Sequence, residues 1–158
     1  MRASSKFILR RICLVLFTAY VIVLAYFLFF SDGYGRTVTY EEYRYNLIPF
    51  QEIKRFYIYS GRVGIIASIT NIAGNIVAFM PFGALIRWVR NKRTNAFLAT
   101  GYTFLFSLAI ELVQLVTRVG VFDVDDLILN TLGGLLGYIC YYVLACIDRR
   151  LRNERKKK

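Results

Sequence analysis

AFLATGYTFLFSLAIELVQLV, residues 96–116, is apolar from end to end except for one carboxylate, Glu111, and a few neutral polar groups. About 20 residues at ~1.5 Å rise cross a ~30 Å hydrocarbon core, so this length reads as a membrane helix. Three further runs share its length and character: ICLVLFTAYVIVLAYFLFF (12–30), VGIIASITNIAGNIVAFMPFGAL (63–85) and LILNTLGGLLGYICYYVLACI (127–147). A soluble domain of 158 residues has no use for four such runs, and a composition 57% hydrophobic and 16% aromatic agrees with lipid exposure. The expectation is a single all-α polytopic membrane domain, 1–158, with four transmembrane helices at 12–30, 63–85, 96–116 and 127–147.

The net charge of +11 is a topology signal. Residues 1–11 carry four Lys/Arg, 86–95 four and 148–158 seven, all in dense short segments. The connection 31–62 spreads five over a much longer stretch containing four acids, and 117–126 has one against three Asp. The positive-inside rule then places both termini and the 86–95 loop in the cytoplasm, with 31–62 and 117–126 as outer loops and 148–158 as a basic cytoplasmic tail. Attraction to anionic head groups strengthens that placement. No nucleic-acid partner is expected, because the basic tail is short and accompanies no binding module.

The basic start of the chain (Arg2, Lys6, Arg10, Arg11) fits a signal peptide, but the apolar run that follows is longer than the usual h-region. FFSDGYG offers no clear cleavage site, so the run reads as an uncleaved anchor. Cys13, Cys140 and Cys146 fall toward the cytoplasmic side, where a disulfide framework is not expected. The chain contains no histidine, which removes the commonest general base and metal ligand. Neither a metal nor a cofactor is expected.

The first outer segment is rich in Tyr and Phe, side chains that favour the membrane–water boundary. Phe50, Ile53 and Tyr57 recur at helical spacing, so 50–59 reads as a short interfacial helix, with a soluble loop as the alternative. NLIPF (46–50) reads as a rigid turn, because Pro49 fixes its own φ and restrains Ile48.

Polar residues inside the runs carry the functional question. Asn71 lies ~12 Å below the outer surface and Asn75 near the midplane, one turn apart on one face. Gly64 and Ser68 extend that face toward the outer end. Glu111 lies roughly 8–9 Å from the outer boundary, with Ser107 and Gln114 on its face. A carboxylate at that depth costs up to ~3 kcal/mol, so it must face the bundle interior, a partner or a wet cavity. Asp123 and Asp126 sit at the mouth of the fourth helix, with Asn130 one turn deeper. Asn71, Asn75, Glu111, Gln114, Asp123, Asp126 and Asn130 form the candidate binding set, and Glu111, Asp123 and Asp126 are the candidates for any catalysis. Structural roles compete with this. Asp123 and Asp126 have the spacing of a capping box and suit the helix dipole. The asparagines can be interhelical glue, worth about 0.6 kcal/mol per contact. Pro81 is expected to kink or end the second helix, and Gly133 with Gly137 makes a GxxxG seam.

The motifs NLIPF (46–50), NIAGNIVAFMPFG (71–83), SLAIELVQ (107–114) and RVGVFDVDDLILNTLGGLLGY (118–138) together resemble the VanZ-like family. The resemblance spans residues 46–138 and marks Asn71, Asn75, Pro81, Glu111, Gln114, Asp123, Asp126, Asn130 and Gly133 as family-pattern positions. It implies a small polytopic protein of the bacterial cytoplasmic membrane. The family's name-giving member is associated with resistance to the glycopeptide teicoplanin, which acts outside that membrane. Membrane lipids are the expected surroundings, and a lipid-linked envelope precursor or lipoglycopeptide the expected ligand. One alternative is an enzyme on a lipid or cell-wall precursor, using Glu111 with Asp123 or Asp126 as acid and base or as Mg²⁺ ligands. No nucleophile elbow, phosphate loop or histidine supports it. The other alternative is a structural or transport-accessory protein.

Overall fold

The computed structural model describes residues 3–30, 41–51, 54, 64–90 and 94–155. Among these residues, four helices are long and apolar enough to cross a membrane: α1 (Ala3–Phe30), α2 (Gly64–Arg90), α3 (Ala96–Thr117) and α4 (Val124–Arg155). Two short strands, β1 (Tyr45–Asn46) and β2 (Phe122–Asp123), pair in parallel, Tyr45 opposite Phe122 and Asn46 opposite Asp123.

Hydrogen bonds at both ends fix the helix directions. Arg10 donates to the Val89 carbonyl at 3.5 Å and the Tyr20 hydroxyl to the Ala78 carbonyl at 2.6 Å, so α1 and α2 are antiparallel. Asn130 meets Ser107, and the Tyr138 hydroxyl donates to the Thr94 carbonyl at 2.9 Å, so α3 and α4 are antiparallel too. The bundle therefore has a sheet end, carrying β1 and β2. The other end is basic, with Arg10 and Arg11 early in α1, Arg87 and Arg90 in the last turn of α2, and Arg152 and Arg155 in the last turn of α4.

In hydrocarbon the hydrophobic effect does not drive helices together; packing and internal hydrogen bonds do. The aromatic core near the middle and basic end supplies the packing. Phe82, Ile86, Ala99 and Tyr138 are buried together, and Phe82 stacks on Phe106 with ring centres 4.7 Å apart. The buried face of α3 is small at the basic end, with Ala99 and Thr103, and toward the sheet end carries Ser107, Glu111 and Gln114 beside Ile110.

The tightest seam is α2 against α4. A methyl group placed on Gly137 would overlap the Met80 carbonyl, one on Gly133 the Ile76 carbonyl, and one on Gly83 the Gly134 carbonyl. On its other side, Gly134 lies against the Thr103 side chain of α3. The GxxxG of α4 thus lets two backbones touch.

Two sequence expectations change in detail. Pro81 does not end the second helix, since α2 continues through it to Arg90. Proline removes one helix hydrogen bond, which neighbouring helices allow a membrane helix to tolerate. The basic tail does not leave the helix at residue 148: α4 runs to Arg155, with Arg152 paired to Asp148 at 2.7 Å one turn back. Hydropathy marks only the part of a helix that suits lipid, so charged turns beyond it go unseen. The interfacial helix falls largely outside the described residues. Among its described residues, the Lys54 amide donates to the Phe50 carbonyl at 2.9 Å.

The seam yields a contrast between glycines. Gly137→Ala should destabilise the bundle by about 1–3 kcal/mol or more, because the obstacle is backbone and cannot rotate away. Gly101→Ala, with nothing within 4 Å of the added methyl, should be neutral or slightly stabilising. Thermal unfolding in detergent measures both; equal melting temperatures would refute the seam.

Candidate functional site

The site is built at the sheet end by α2, α3, α4 and the segment that leads through β1. Its centre is Asp123, the residue before α4. The Asp123 carboxylate accepts the Asp125 amide at 2.8 Å, an N-cap bond to the second helical residue. The same Oδ1 accepts the Asn46 side-chain amide at 3.1 Å, tying β1 to β2 through side chains as well as backbone. The Asp123 amide donates to Glu111 Oε2 at 3.0 Å.

The capping box is therefore half present. Asp123 caps the helix, but Asp126 does not close the box, because Glu111 from α3 already takes the Asp123 amide. Asp126 turns toward α2 and accepts the Asn75 side-chain amide. One turn deeper, Asn130 donates to the Ser107 hydroxyl at 2.9 Å, both buried, and Asn130 Oδ1 is buried without a hydrogen-bond partner among the described residues. Gln114, nearer the surface, donates to the Leu28 carbonyl at 3.2 Å and so closes α1 onto α3.

Of the seven candidate residues, six engage this end. Glu111, Asp123, Asp126, Asn130 and Asn75 bridge helices or the corner, and Gln114 ties in α1. Asn71 is half-buried and is not among the side chains bonded to the others. The side chain of Ser68 lies outside the described residues.

Sequence reasoning passed over two participants. Asp125 is only 4% exposed and accepts the Phe50 amide. Phe50 has φ 64°, the left-handed region that a bulky residue rarely takes. It follows Pro49 in a turn, where the third position of the type II form requires positive φ. Asn46 is the second: besides holding Asp123, its Oδ1 accepts the Ile48 amide at 3.2 Å and starts the turn. The available signal was the pairing of a proline turn opening with Asn and an Asp-rich corner, both needing partners for backbone amides. Arg118, also left-handed at φ 58°, completes the clamp. It stacks over Tyr43 with its guanidinium carbon 4.6 Å from the ring centre and donates to the Glu41 carbonyl at 3.1 Å.

The arrangement has two surfaces. Around β1, Tyr43, Tyr45, Leu47, Ile48 and Phe50 are exposed, although large and apolar, beside a shallow concavity that includes Arg44 and Gln51. Between α1 and α2 a lateral groove of about 290 Å³ is lined by apolar side chains and by Asn75, the partner of Asp126. Among the described residues, no three acidic or sulfur side chains are grouped to hold a metal ion.

Asp125→Ala should free the turn by leaving the Phe50 amide unpaired, at a cost of about 1–3 kcal/mol. Trypsin cleavage after Arg44 in detergent should accelerate markedly, while Tyr138→Phe, at the basic end, should leave it unchanged. An unaltered cleavage rate in Asp125→Ala would overturn the clamp.

The chain is similar to known proteins across this whole framework. It is 27% identical over 128 residues to Protein VanZ of Enterococcus faecium, covering 80% of this chain and 71% of that protein. No solved structure matches it. The VanZ/LLP1 family matches residues 17–145, from α1 through the paired strands and well into α4. The chain belongs to the VanZ/LLP1 family.

Proposed function

We propose that this protein binds a lipid-linked envelope component or a lipophilic glycopeptide at the outer leaflet of a bacterial cytoplasmic membrane, and that such binding underlies resistance of the teicoplanin type. The observation that carries the reading is the polar layer itself. Glu111, Asp123, Asp125, Asp126 and Asn75 converge from three helices at one end of an otherwise apolar bundle, beside a groove open to lipid. Ionisable residues at membrane depth mark ligand or ion sites when they are held this way.

Orientation follows from charge. The described basic residues at the start of α1, the end of α2 and the end of α4 lie away from the sheet, and the positive-inside rule favours the cytoplasm for that end. The exposed aromatic residues around β1 then lie at the outer head-group level, where amphipathic rings are favoured. The same hydrogen bonds give most of these carboxylates framework roles. Glu111 holds a backbone amide, Asp123 caps α4 and Asp125 holds a turn, so these carboxylates already serve the framework.

Two experiments test the reading. Glu42→Cys in intact cells should react with a membrane-impermeant maleimide, with the unsubstituted protein as blank. Reaction only after permeabilisation would reverse the orientation. A photoreactive teicoplanin analogue and a photoreactive lipid-linked cell-wall precursor, offered separately to the full chain in membranes, should crosslink at the sheet end with at least one probe. Asp126→Asn and Asn75→Ala should reduce that crosslinking about tenfold, the scale of losing a charge-assisted hydrogen bond. Crosslinking unaltered in both variants would sink the binding role.

A further inference from the structure

Charge at the basic end of the bundle lacks counter-charge within the chain. Residues 1–11 and 86–95 carry four Lys/Arg each and no Asp or Glu. Residues 148–158 carry seven against Asp148 and Glu154, and Asp148 is held by Arg152 at 2.7 Å. The other described acids, from Glu41 and Glu42 to Glu111 and the aspartates before and within the first turn of α4, belong to the sheet end. The arginines that α1 and α2 bring to the basic end therefore find no carboxylate in their own segments.

Arg10 is the arginine whose surroundings most need an anion. It is half-buried where α1 meets the last turn of α2, and its Nε is buried without a hydrogen-bond partner among the described residues. Nη2 donates to the Val89 carbonyl at 3.5 Å, a long bond. A cation drawn partly out of water with no opposite charge is costly, and an arriving anion offsets that cost. Its neighbours are provided for differently. Arg87 lies over Tyr141 and Arg90 over Tyr102, with guanidinium carbons 5.7 and 4.4 Å from the ring centres, and both suit the carbonyl end of α2. Arg11 is exposed and lies over Phe7 at 4.4 Å. The level is also right for a lipid head. Arg10 stands two residues before the apolar run that begins at Ile12, about 3 Å, and Val89 four residues past the run that ends at Leu85, about 6 Å. The head-group layer occupies roughly 5–7 Å on each side of the hydrocarbon.

We propose that Arg10, seated against the end of α2, binds the phosphate of an anionic phospholipid. The Val89 carbonyl takes one donor of the planar fork, and the other terminal donors meet phosphate oxygens. Arg87 and Arg90, in the last turn of α2, add positive field. A zwitterionic head brings an ammonium to a place that offers arginines and no carboxylate, so a head with net negative charge is favoured. This goes beyond a topology signal, which counts Arg10 and Arg11 alike; a seated phosphate separates them. The site lies away from the sheet end and stands independently of the function proposed above.

The test uses the full chain in detergent, with phosphatidylglycerol, phosphatidylethanolamine of the same acyl chains and inorganic phosphate as probes. Bound lipid is counted by native mass spectrometry. Phosphatidylglycerol should be retained about tenfold more than phosphatidylethanolamine, and Arg10→Gln should lower that retention about tenfold. Arg11→Gln removes the same charge one residue away and should leave retention within about twofold. Inorganic phosphate should not displace the lipid. Equal losses in the two variants would assign the effect to net charge and overturn the proposal. So would retention unaltered in Arg10→Gln, phosphatidylethanolamine matching phosphatidylglycerol, or displacement by inorganic phosphate, which would mark a free-anion site. Labelling of the unsubstituted chain decides the matter if Arg10→Gln fails to fold. Phosphatidylglycerol with a photoreactive head, in phosphatidylcholine nanodiscs, should label residues around Arg10 and Val89 above the exposed turns of α4 beyond Ile147. Labelling spread evenly over both regions overturns the site.

Discussion

Backbone contact between α2 and α4 sets the level of everything else in this bundle. Gly133 and Gly137 of α4 lie against the Ile76 and Met80 carbonyls of α2, and Gly83 lies against Gly134. Between helices in lipid there is little to gain from burying apolar surface, so such close approach and the hydrogen bonds it permits do the holding. The seam also fixes register. It puts Asp126 level with the Asn75 amide, and through Gly134 against Thr103 it draws α3 close enough for Ser107 to meet Asn130. A slip of one residue along this seam would take polar groups out of reach of one another in a medium that charges several kcal/mol for an unmet polar group.

The corner between α3 and α4 is the second organising feature. Three consecutive needs are met there by neighbouring carboxylates. The free amides at the start of α4 need a cap, which Asp123 supplies. The Asp123 amide itself needs an acceptor, which Glu111 supplies. The turn after β1, with Phe50 in a left-handed conformation, needs its amide held, which Asp125 does. Negative charge at this helix N-terminus is also favoured by the α4 dipole. Three aspartates in four residues thus look redundant in sequence and have separate tasks in space.

The helices were legible because bilayer thickness imposes a length that hydropathy reveals directly. The common level of Glu111, Asp123 and Asp126, with Asn130 one turn deeper, was legible for a related reason: a fixed rise per residue turns sequence position into depth. The parallel pairing of β1 with β2 was not legible. Two-residue strands have no period to detect, and their pairing joins segments separated by two entire helices. Asp125 was passed over because nothing local distinguishes it from Asp123 and Asp126; only the location of the Phe50 amide does. Asn71 shows the converse, a polar residue at the right level and near the right face that the packing leaves outside the network.

These separate tasks narrow the chemistry available to the site. A carboxylate that caps a helix or pins a turn cannot be released to a ligand without loosening the corner, so Asp123 and Asp125 are poor candidates for direct recognition. Glu111 is bound to the same corner through the Asp123 amide. Asn130 and Ser107 are buried, one level too deep to be reached without separating α3 from α4. The Asn75–Asp126 pair differs from all of these. It sits at the edge of the bundle, joins two helices by a side-chain bond, and has one member in the wall of a groove open to lipid. The aspartates and amides that look alike in sequence therefore divide into a rigid interior that sets geometry and a peripheral side-chain pair that joins α2 to α4 beside the lateral groove.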